Sequence, residues 1–343
     1  MLTLLLAAAM TAVPHDSASV AAADSIDAKE RIRAEAYRAK REIDKILDMR
    51  DSRARSSIDS AYLERVPQRL RFKLTLNASG SDIDTRGVNA DGKFSTEMRA
   101  QNKYTVSLSA SYRGLSLSVA LNPAHLAGKK KDYELNMNAY GNRLGADVIF
   151  HSSKTFEGSV HTSHGDTGIP AGMISQNMLT LNAYYALNGR RFSYPAAFSQ
   201  SWLQKRSCGS LMFGVSFMGG VLKVRHDDVI GNPESRLSIA CAGIGVGYGY
   251  NLVLRHGWLI HLSALPELVV YSRCRITSAG SRTKMPYRFP NIIAVGRMAV
   301  VRHFGRYFAG FTTVVNTSQL GDRDILLLSN TKWRARMFFG IKI

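Results

Sequence analysis

From residue 70 to the C-terminus, apolar and polar side chains alternate with a period of two. The segment YTVSLSASY, residues 104–112, puts aromatic and aliphatic residues on one face and Thr and Ser on the other. Many such segments have roughly the ten-residue length that a tilted strand needs to cross a bilayer. The pattern predicts about twelve strands, at residues 68–78, 103–113, 114–122, 131–140, 143–152, 177–187, 208–219, 237–252, 257–271, 290–303, 306–317 and 331–343.

The connections between these strands alternate between long and short. The long ones fall at residues 79–102, 123–130, 153–176, 220–236, 272–289 and 318–330, and the short ones include YRGL, YGNR, RHG and HFGR. Long loops at one end and tight turns at the other are typical of an outer-membrane barrel, whereas a soluble β-sandwich gives no reason for this segregation. We therefore expect an all-β fold, an antiparallel transmembrane β-barrel.

One connection on the short side is about twenty residues long. The stretch NGRRFSYPAAFSQSWLQKRSCGSL contains four aromatic residues, Phe192, Tyr194, Phe198 and Trp202. We expect this connection to be ordered, to face the periplasm, and to pack its aromatic side chains against the barrel or seal its mouth, because so many exposed apolar groups are otherwise unfavourable.

The N-terminal part of the chain differs from the rest. Residues 1–23 include the apolar run MLTLLLAAAMTAV and a small-residue cleavage site after Ala23, which predicts a signal peptide. Apolar residues at steps of three and four in residues 27–49 predict an amphipathic helix within a periplasmic segment, residues 24–66. The barrel domain is then residues 67–343, with the N-terminus in the periplasm.

The chain is strongly basic, with 45 Lys and Arg against 26 Asp and Glu, a formal charge of +19. No basic run interleaved with aromatic residues and no zinc-finger spacing is present, so we expect no nucleic-acid partner. If the first and last strands pair to close the barrel, their inward-facing cations form a basic stripe in the lumen. Its members are Arg71, Lys73, Lys332, Arg334, Arg336 and Lys342. Glu134 and Asp147 are inward carboxylates that could pair with the stripe, and an open lumen would prefer small anionic solutes.

Two further motifs carry candidate chemistry. In CAGIGVGYGYN the glycines alternate with bulky residues, which predicts a smooth stripe on the lumen wall, Gly243, Gly245, Gly247 and Gly249, rather than a nucleotide loop. HTSHGD brings His161, His164 and Asp166 together, and a loop serine such as Ser159 could join His151 or His161 in a lipid-directed site. Spacing does not single these residues out and no G-x-S-x-G stretch is present, so we assign no catalytic, cofactor-binding or metal-binding residue.

The chain from about residue 59 resembles the bacterial family catalogued as domain of unknown function 4421. The most specific matches are Arg191-Phe192-Ser193-Tyr194, Ala196-Ala197-Phe198, Gln204-Lys205 and Gly209-Ser210. The resemblance implies an outer-membrane barrel of a Bacteroides-type bacterium, and it supplies no catalytic residue. Cys208 stands where the family would have a small residue such as Ala, and the chain ends in Ile343 where many outer-membrane barrels end in an aromatic residue.

The leading interpretation is an outer-membrane β-barrel of a Gram-negative cell, in contact with outer-membrane lipid, with a structural or porin-like transport role. The alternative is an outer-membrane enzyme that modifies lipid. A third interpretation is a soluble periplasmic lipocalin-like binding barrel. The sequence does not indicate an oligomeric state, a substrate, or whether the lumen is open or plugged.

Overall fold

The computed structural model describes residues 57–343, apart from residues 68–69, 90–91, 113–114, 122–132, 164, 226–234, 279, 286 and 323. Of the first 56 residues it describes Arg38, Arg41 and Lys45, which are helical and exposed. The predicted signal peptide and most of the predicted helix therefore lie outside the described residues. The chain divides into two units, Met1–Ser57 and Ile58–Ile343. Within the described parts of the chain, no helix has the length and apolar character needed to cross a membrane.

The second unit is built almost entirely of antiparallel strands. The strands are β1 (Leu63–Arg65), β2 (Leu70–Asn89), β3 (Gly92–Ala100), β4 (Lys103–Tyr112), β5 (Leu115–Leu121), β6 (Tyr133–Tyr140), β7 (Leu144–Thr162), β8 (Gly165–Ala186), β9 (Trp202–Gln204), β10 (Cys208–Val224), β11 (Ser235–Leu254), β12 (Trp258–Ser272), β13 (Arg275–Ser278), β14 (Ser281–Lys284), β15 (Ile292–Phe304), β16 (Tyr307–Asp322) and β17 (Leu326–Lys342). One short helix, α1 (Tyr194–Phe198), lies between β8 and β9, and a 3₁₀ turn, Arg255–Gly257, joins β11 to β12.

The main sheet closes on itself. Its strand order is β10-β8-β7-β3-β2-β17-β16-β15-β12-β11, and β11 pairs again with β10. The first and last strands of the ring are joined over their length, from Arg71 opposite Lys342 to Gly87 opposite Leu326. Closure satisfies the backbone groups that an open edge would expose to lipid.

The wall has more strands at one end than at the other. We call the end with the short connections the turn end and the opposite end the hairpin end. At the turn end β4 pairs with β2, β5 pairs with β4, and β6 pairs with β7. Of the described strands, twelve therefore form the wall at the turn end, namely β2, β4, β5, β6, β7, β8, β10, β11, β12, β15, β16 and β17. At the hairpin end β3 alone fills the place between β2 and β7.

The outer surface of the turn-end half is apolar. On β2, Phe72, Leu74 and Leu76 are exposed, and on β11 Ile244 and Val246 are exposed as well. The residues between them face the interior, because successive side chains of a strand point to opposite faces. An apolar exterior around a polar interior is the arrangement of a transmembrane barrel, and the chain is an antiparallel transmembrane β-barrel.

Most of the predicted long loops are strands, which corrects our assignment. Residues 79–89 extend β2 and residues 92–100 form β3. β7 and β8 stay paired as far as Thr162 and Gly165, and β16 and β17 stay paired as far as Asp322 and Leu326. β8 has 22 residues, whereas about ten span a bilayer. The strands of the hairpin end therefore extend well beyond the membrane-spanning length. Their outward side chains are polar, so the sequence of this region resembles that of loops.

The interior of the hairpin end is a conventional apolar core. Its buried members are mostly Met, Ile, Leu, Val, Phe and Cys side chains, among them Met98, Met173, Met218, Met285 and Phe156. We call this group the methionine-rich core. These buried side chains pack against one another in the interior of the hairpin end.

Candidate functional site: a plugged and charged lumen

The long connection of the turn end folds into the barrel. We call residues 188–207 the plug. Helix α1 begins at the N-cap Ser193, whose hydroxyl accepts a hydrogen bond from the N–H of Ala196 at 3.2 Å, and Pro195 occupies a first-turn position that suits its fixed backbone angle. All five residues of α1 are buried.

Three of the four aromatic residues singled out in the sequence form the body of the plug. Phe192 is 0% exposed and Tyr194 is 1% exposed. The ring centroid of Tyr194 lies 4.5 Å from that of Tyr184 on the wall, and Phe198 lies 5.7 Å from Tyr140. These aromatic contacts pack the plug against the inner face of the wall at the turn end.

The fourth aromatic residue, Trp202, takes another position. It is buried in β9, which pairs with β1 to form a separate two-stranded ribbon. The guanidinium carbon of Arg65 lies 5.8 Å from the centroid of the Trp202 ring, within cation–π range. Trp202 therefore joins the N-terminal end of the barrel unit to the plug.

Buried polar groups fix the plug in one orientation. Tyr194 Oη and Ser263 Oγ are 2.7 Å apart, and Ser263 Oγ is 3.0 Å from His261 Nε2. His261 Nδ1 is 2.7 Å from Asn251 Oδ1, and Asn251 Nδ2 donates to the carbonyl oxygen of Ser193 at 2.9 Å. A fully satisfied buried network of this kind rigidifies the segments that it joins.

Two members of the predicted basic stripe bind the plug. Arg71 donates from Nη1 to the carbonyl oxygens of Ser199, at 3.2 Å, and of Gln200. Lys73 Nζ donates to Gln200 Oε1 at 3.4 Å. Lys342, opposite Arg71 in the strand register, is also buried.

Two further members of the stripe surround a carboxylate. Glu134 lies 3.4 Å from Lys332 Nζ and 3.2 Å from Arg334 Nη2, and its Oε1 accepts a hydrogen bond from Asn136 at 2.7 Å. His151 Nδ1 is 3.7 Å from the same carboxylate. Glu134 thus offsets part of the positive charge of the basic stripe.

Other side chains pair across the barrel. Arg297 on β15 forms a buried ion pair with Asp147 on β7, and Asn182 on β8 donates to Asn316 on β16 at 3.2 Å. The remaining stripe residue, Arg336, lines a 20 Å³ cavity together with Tyr140 and Asp147. Through these pairs, side chains from opposite walls of the barrel meet across the lumen.

The four glycines of the predicted stripe face the interior, and one of them contacts the plug. A Cβ at Gly249 would lie 3.1 Å from Phe192 Cζ, whereas a Cβ at Gly243 would lie 3.3 Å from Glu267 Oε2. Gly245 and Gly247 are likewise close to β12, where Glu267 and Leu265 lie. The stripe therefore admits the plug at Gly249 and mainly gives β12 room along the rest of its length.

A Ser–His–Asp arrangement occurs on the outer face of the hairpin end. Ser159 Oγ is 2.9 Å from His161 Nε2, and His161 Nδ1 is 2.8 Å from Asp166 Oδ1. Residues two apart on a strand share a face, and Asp166 is directly opposite His161 on β8. His151 lies in the lumen and takes no part, and His164 lies outside the described residues. The sequence analysis did not bring Ser159, His161 and Asp166 together as a Ser–His–Asp arrangement, because it assigned residues 153–176 to a loop and not to strands.

This arrangement borders a wide groove of about 890 Å³. Its lining includes Asp84, Arg86, Glu97, Arg99 and His161. The side chains of His161 and Asp166 are 41% and 70% exposed, so solvent reaches both. In the described part of the chain, no group of three or more His, Cys, Asp or Glu side chains is placed to hold a metal ion.

Near the turn end, the carboxylate of Asp59 accepts two hydrogen bonds. It accepts hydrogen bonds from the backbone N–H of Ala61 at 3.0 Å and from Arg191 Nε at 2.9 Å. The backbone hydrogen bond first, and then Arg191, lower the pKa of Asp59 below its usual value.

These features define a class, a closed transmembrane β-barrel whose lumen is occupied by a plug. The family described as Domain of unknown function (DUF4421) matches residues 57–342, and the chain belongs to this family. A comparison with curated proteins finds no match.

Three solved structures show similarity to this chain. The outer membrane protease OmpT from Escherichia coli is 8% identical, with 82% of this chain and 98% of that chain covered and a TM-score of 0.44. The toluene transporter TodX of P. putida is 10% identical, with coverage of 81% and 91% and a TM-score of 0.28. The translocator domain of autotransporter NalP from Neisseria meningitidis is 9% identical, with coverage of 86% and 95% and a TM-score of 0.27.

Proposed function

We propose that the protein is a structural outer-membrane β-barrel with a sealed lumen, not an open porin. The observation that carries the proposal is the filling of the interior at three levels, by the plug, by the charged pairs and by the methionine-rich core. A porin-like role would require both the plug and the core to move. The basic stripe then serves to hold the plug and to pair with Glu134, rather than to line a conducting path.

Planar-bilayer recording tests the sealed lumen. Insertion is first verified by heat-modifiable gel mobility, which distinguishes folded from unfolded barrels. We expect inserted wild-type protein to give no steady conductance. A steady current that is anion-selective would instead support the transport role, and a change of selectivity in Arg334→Glu would place that side chain on the path.

We further propose that the turn end faces the periplasm, as do the plug and the N-terminal segment. Short turns are the periplasmic connections of outer-membrane barrels, and the ribbon of β1 and β9 ties residues 63–65 to the plug. Cell fractionation should find the protein in the outer membrane. Protease added to intact cells should leave residues 188–207 uncut. Cleavage there would show that the turn end faces the cell exterior and not the periplasm.

A second candidate function is hydrolysis of an acyl ester at the hairpin end, in keeping with a lipid-modifying enzyme. The observation that favours it is the continuous set of contacts from Ser159 through His161 to Asp166. Ser159 Oγ would attack the acyl carbonyl carbon and pass its proton to His161, held by Asp166. Collapse of the tetrahedral intermediate breaks the ester bond, and the leaving alkoxide takes the proton. Water then attacks the acyl-serine by the same relay and releases the acid.

Labelling with a fluorophosphonate probe tests this second candidate. We expect labelling and ester hydrolysis in the wild type, and loss of both in Ser159→Ala. Ser163→Ala, which alters a serine of the adjacent groove, is the matched control and should keep both. Equal signals in Ser159→Ala and the wild type would eliminate this candidate.

A further inference from the structure

The outer face of the hairpin end carries a cluster of basic residues around β13 and β14. In the strand register Arg275 is opposite Lys284, and Arg236 on β11 is opposite Lys223 on β10. The two pairs share a face, because β11 and β13 are paired between them. Arg282 lies two residues before Lys284 and shares that face too. The alternate positions of these strands belong to the methionine-rich core, so the five cations point outward.

This basic cluster has no internal counter-charge in the described part of the chain. No ion pair joins any of the five cations to a carboxylate of the described residues. The outer face of β2 and β3 differs, because Arg99 Nε there lies 3.8 Å from Asp82 Oδ1. Repulsion by Arg273 first, and then by Arg282, lowers the pKa of Arg275 below its usual value. An external anion would relieve this repulsion.

A pocket of about 410 Å³ adjoins β13 and β14 within this cluster. Three of the side chains that line it are basic, namely Arg273, Arg275 and Lys284. The remaining lining residues are Ser272, Cys274, Met285 and Tyr287, so no described residue of the lining is acidic. Guanidinium groups bind phosphate oxygens through two parallel N–H donors, and an ammonium adds a point charge. The pocket is therefore suited to a phosphate group.

The pocket begins where the apolar outer surface of β12 ends. Leu268 and Val270 are exposed apolar residues on this strand, and the exposed Tyr271 follows them. Tyrosine is typical of the interface between membrane and water. Arg273 comes two residues later, about 7 Å along the strand, and the headgroup layer on each side of a bilayer is roughly 5–8 Å thick. The basic side chains thus start at the level of the lipid headgroups.

We propose that this pocket binds the phosphate monoester of a phosphorylated lipid in the leaflet that surrounds the hairpin end. A monoester carries a charge of about −1.5 to −2, which matches three cations better than the single charge of a phosphodiester does. The acyl chains lie along the apolar surface at Leu268 and Val270. The proposal requires a barrel in a membrane, and it is independent of the sealed lumen and of any ester hydrolysis at the hairpin end.

Native mass spectrometry of the barrel, released from a neutral detergent, tests this lipid site. The probes are dimyristoyl phosphatidic acid, which is a monoester, dimyristoyl phosphatidylglycerol, which is a diester with the same chains, and inorganic phosphate. We expect one tightly bound phosphatidic acid per barrel, about tenfold weaker binding of phosphatidylglycerol, and no retained inorganic phosphate. Equal affinity for the two lipids would overturn the proposal. Binding of inorganic phosphate as tight as that of phosphatidic acid would overturn it as well.

Matched changes of charge locate the binding site. The double variant Arg273→Gln, Arg275→Gln removes two charges from the pocket, whereas Arg225→Gln, Arg236→Gln removes two exposed charges that do not line it. Heat-modifiable mobility verifies that both variants are folded. We expect the affinity for phosphatidic acid to fall about tenfold or more in the first variant and to stay within about twofold in the second. Equal losses would show a diffuse attraction to positive charge and would overturn the assignment to the pocket.

A single lysine change serves if the first double variant gives no folded species. Lys284→Gln removes the third cation of the pocket, and Lys223→Gln changes an exposed lysine of the same outer face. We expect weaker binding of phosphatidic acid only in Lys284→Gln. Wild-type affinity in that variant would contradict the proposal.

Discussion

Arg71 on β2 binds the plug through its guanidinium group. Its guanidinium is buried and donates to two carbonyl oxygens beyond α1. Helix ends leave carbonyl groups without intrahelical partners, and water has little access to them here. The Arg71 guanidinium satisfies those carbonyl groups. This positive charge in the lumen therefore stabilises the position of the plug.

Replacing Arg71 by Met should loosen the plug. The change removes charge-assisted hydrogen bonds to buried acceptors, each worth about 1.5–3 kcal/mol. We expect faster proteolysis near Gln200 in detergent-solubilised protein and a lower temperature for the heat-modifiable shift. Arg86→Met alters an exposed arginine on the same strand and should change neither. Equal proteolysis of the two variants would mean that the plug is held by its aromatic contacts alone.

Asp59 should contribute stability that depends on pH. Its pKa is lowered by the Ala61 N–H and by Arg191, so the ionised form is favoured in the folded state. The contribution is therefore fully present above the unfolded pKa of about 3.9 and is lost as the pH falls through the lower folded value.

The difference in unfolding temperature between the wild type and Asp59→Asn measures this contribution. It should be constant from neutral pH to about pH 5 and shrink below about pH 4. Asp82→Asn is the control, because Asp82 is a partly exposed carboxylate on β2 that takes no part in the contact between Asp59 and Arg191. A difference that grows toward low pH would show that the sign is wrong.

The plug and the methionine-rich core act as two separate seals. They lie at opposite ends of the wall, and the pairs Arg297–Asp147 and Asn182–Asn316 lie between them. Removing one seal leaves the other layers in place. We therefore expect either element, the plug or the methionine-rich core, to block the lumen without the other.

Deletion of the plug should leave the barrel closed to ions. Replacing residues 192–201 by a short Gly-Ser linker removes the aromatic packing but not the cross-lumen pairs or the core. We expect lower thermal stability, because losing a buried aromatic side chain costs about 3–5 kcal/mol, with no steady conductance. Tyr104→Ala, at an outward position, controls for loss of aromatic area. Steady conductance after the deletion would show that the plug alone seals the lumen.

Closure of the ring determines the stability of the whole molecule. The last residue of the chain still belongs to it, since Ile343 donates its N–H to the carbonyl oxygen of Leu70 at 2.9 Å. The β13–β14 hairpin, in contrast, pairs with β11 only at Ser235–Ser238, beyond the part of β11 that pairs with β12, and β14 pairs with no ring strand among the described residues. Loss of the C-terminal part of β17 should therefore affect folding of the barrel much more than loss of the β13–β14 hairpin.

Truncation after Met337 should prevent assembly. It removes the part of β17 that pairs with the start of β2 and leaves backbone groups unsatisfied in lipid, each costing several kcal/mol. We expect no heat-modifiable species and full protease sensitivity. Replacing residues 275–284 by a short linker should keep a folded barrel. A folded species from the truncated chain would show that closure at the turn end is dispensable.

The sequence by itself determined the wall of the barrel. Alternation is a local property of an extended chain, so it shows which side chains share a face wherever the strand lies. It therefore predicted the outward set around Leu74, the inward cations such as Arg334, the inward glycines such as Gly249, and the pairing of the first and last strands. It also predicted that residues 188–207 are ordered, because aromatic residues in a long polar connection call for a packing partner.

Only the tertiary structure decided which inward side chains meet. Glu134 on β6 reaches Lys332 and Arg334 on β17, and Arg297 on β15 reaches Asp147 on β7. These parts of the chain meet because the sheet closes into a barrel. The contact between Ser159 and His161 depended on residues 153–176 being strands, which polar outer faces had concealed. Cross-barrel distances are set by closure of the whole sheet, and no local pattern in the sequence records them.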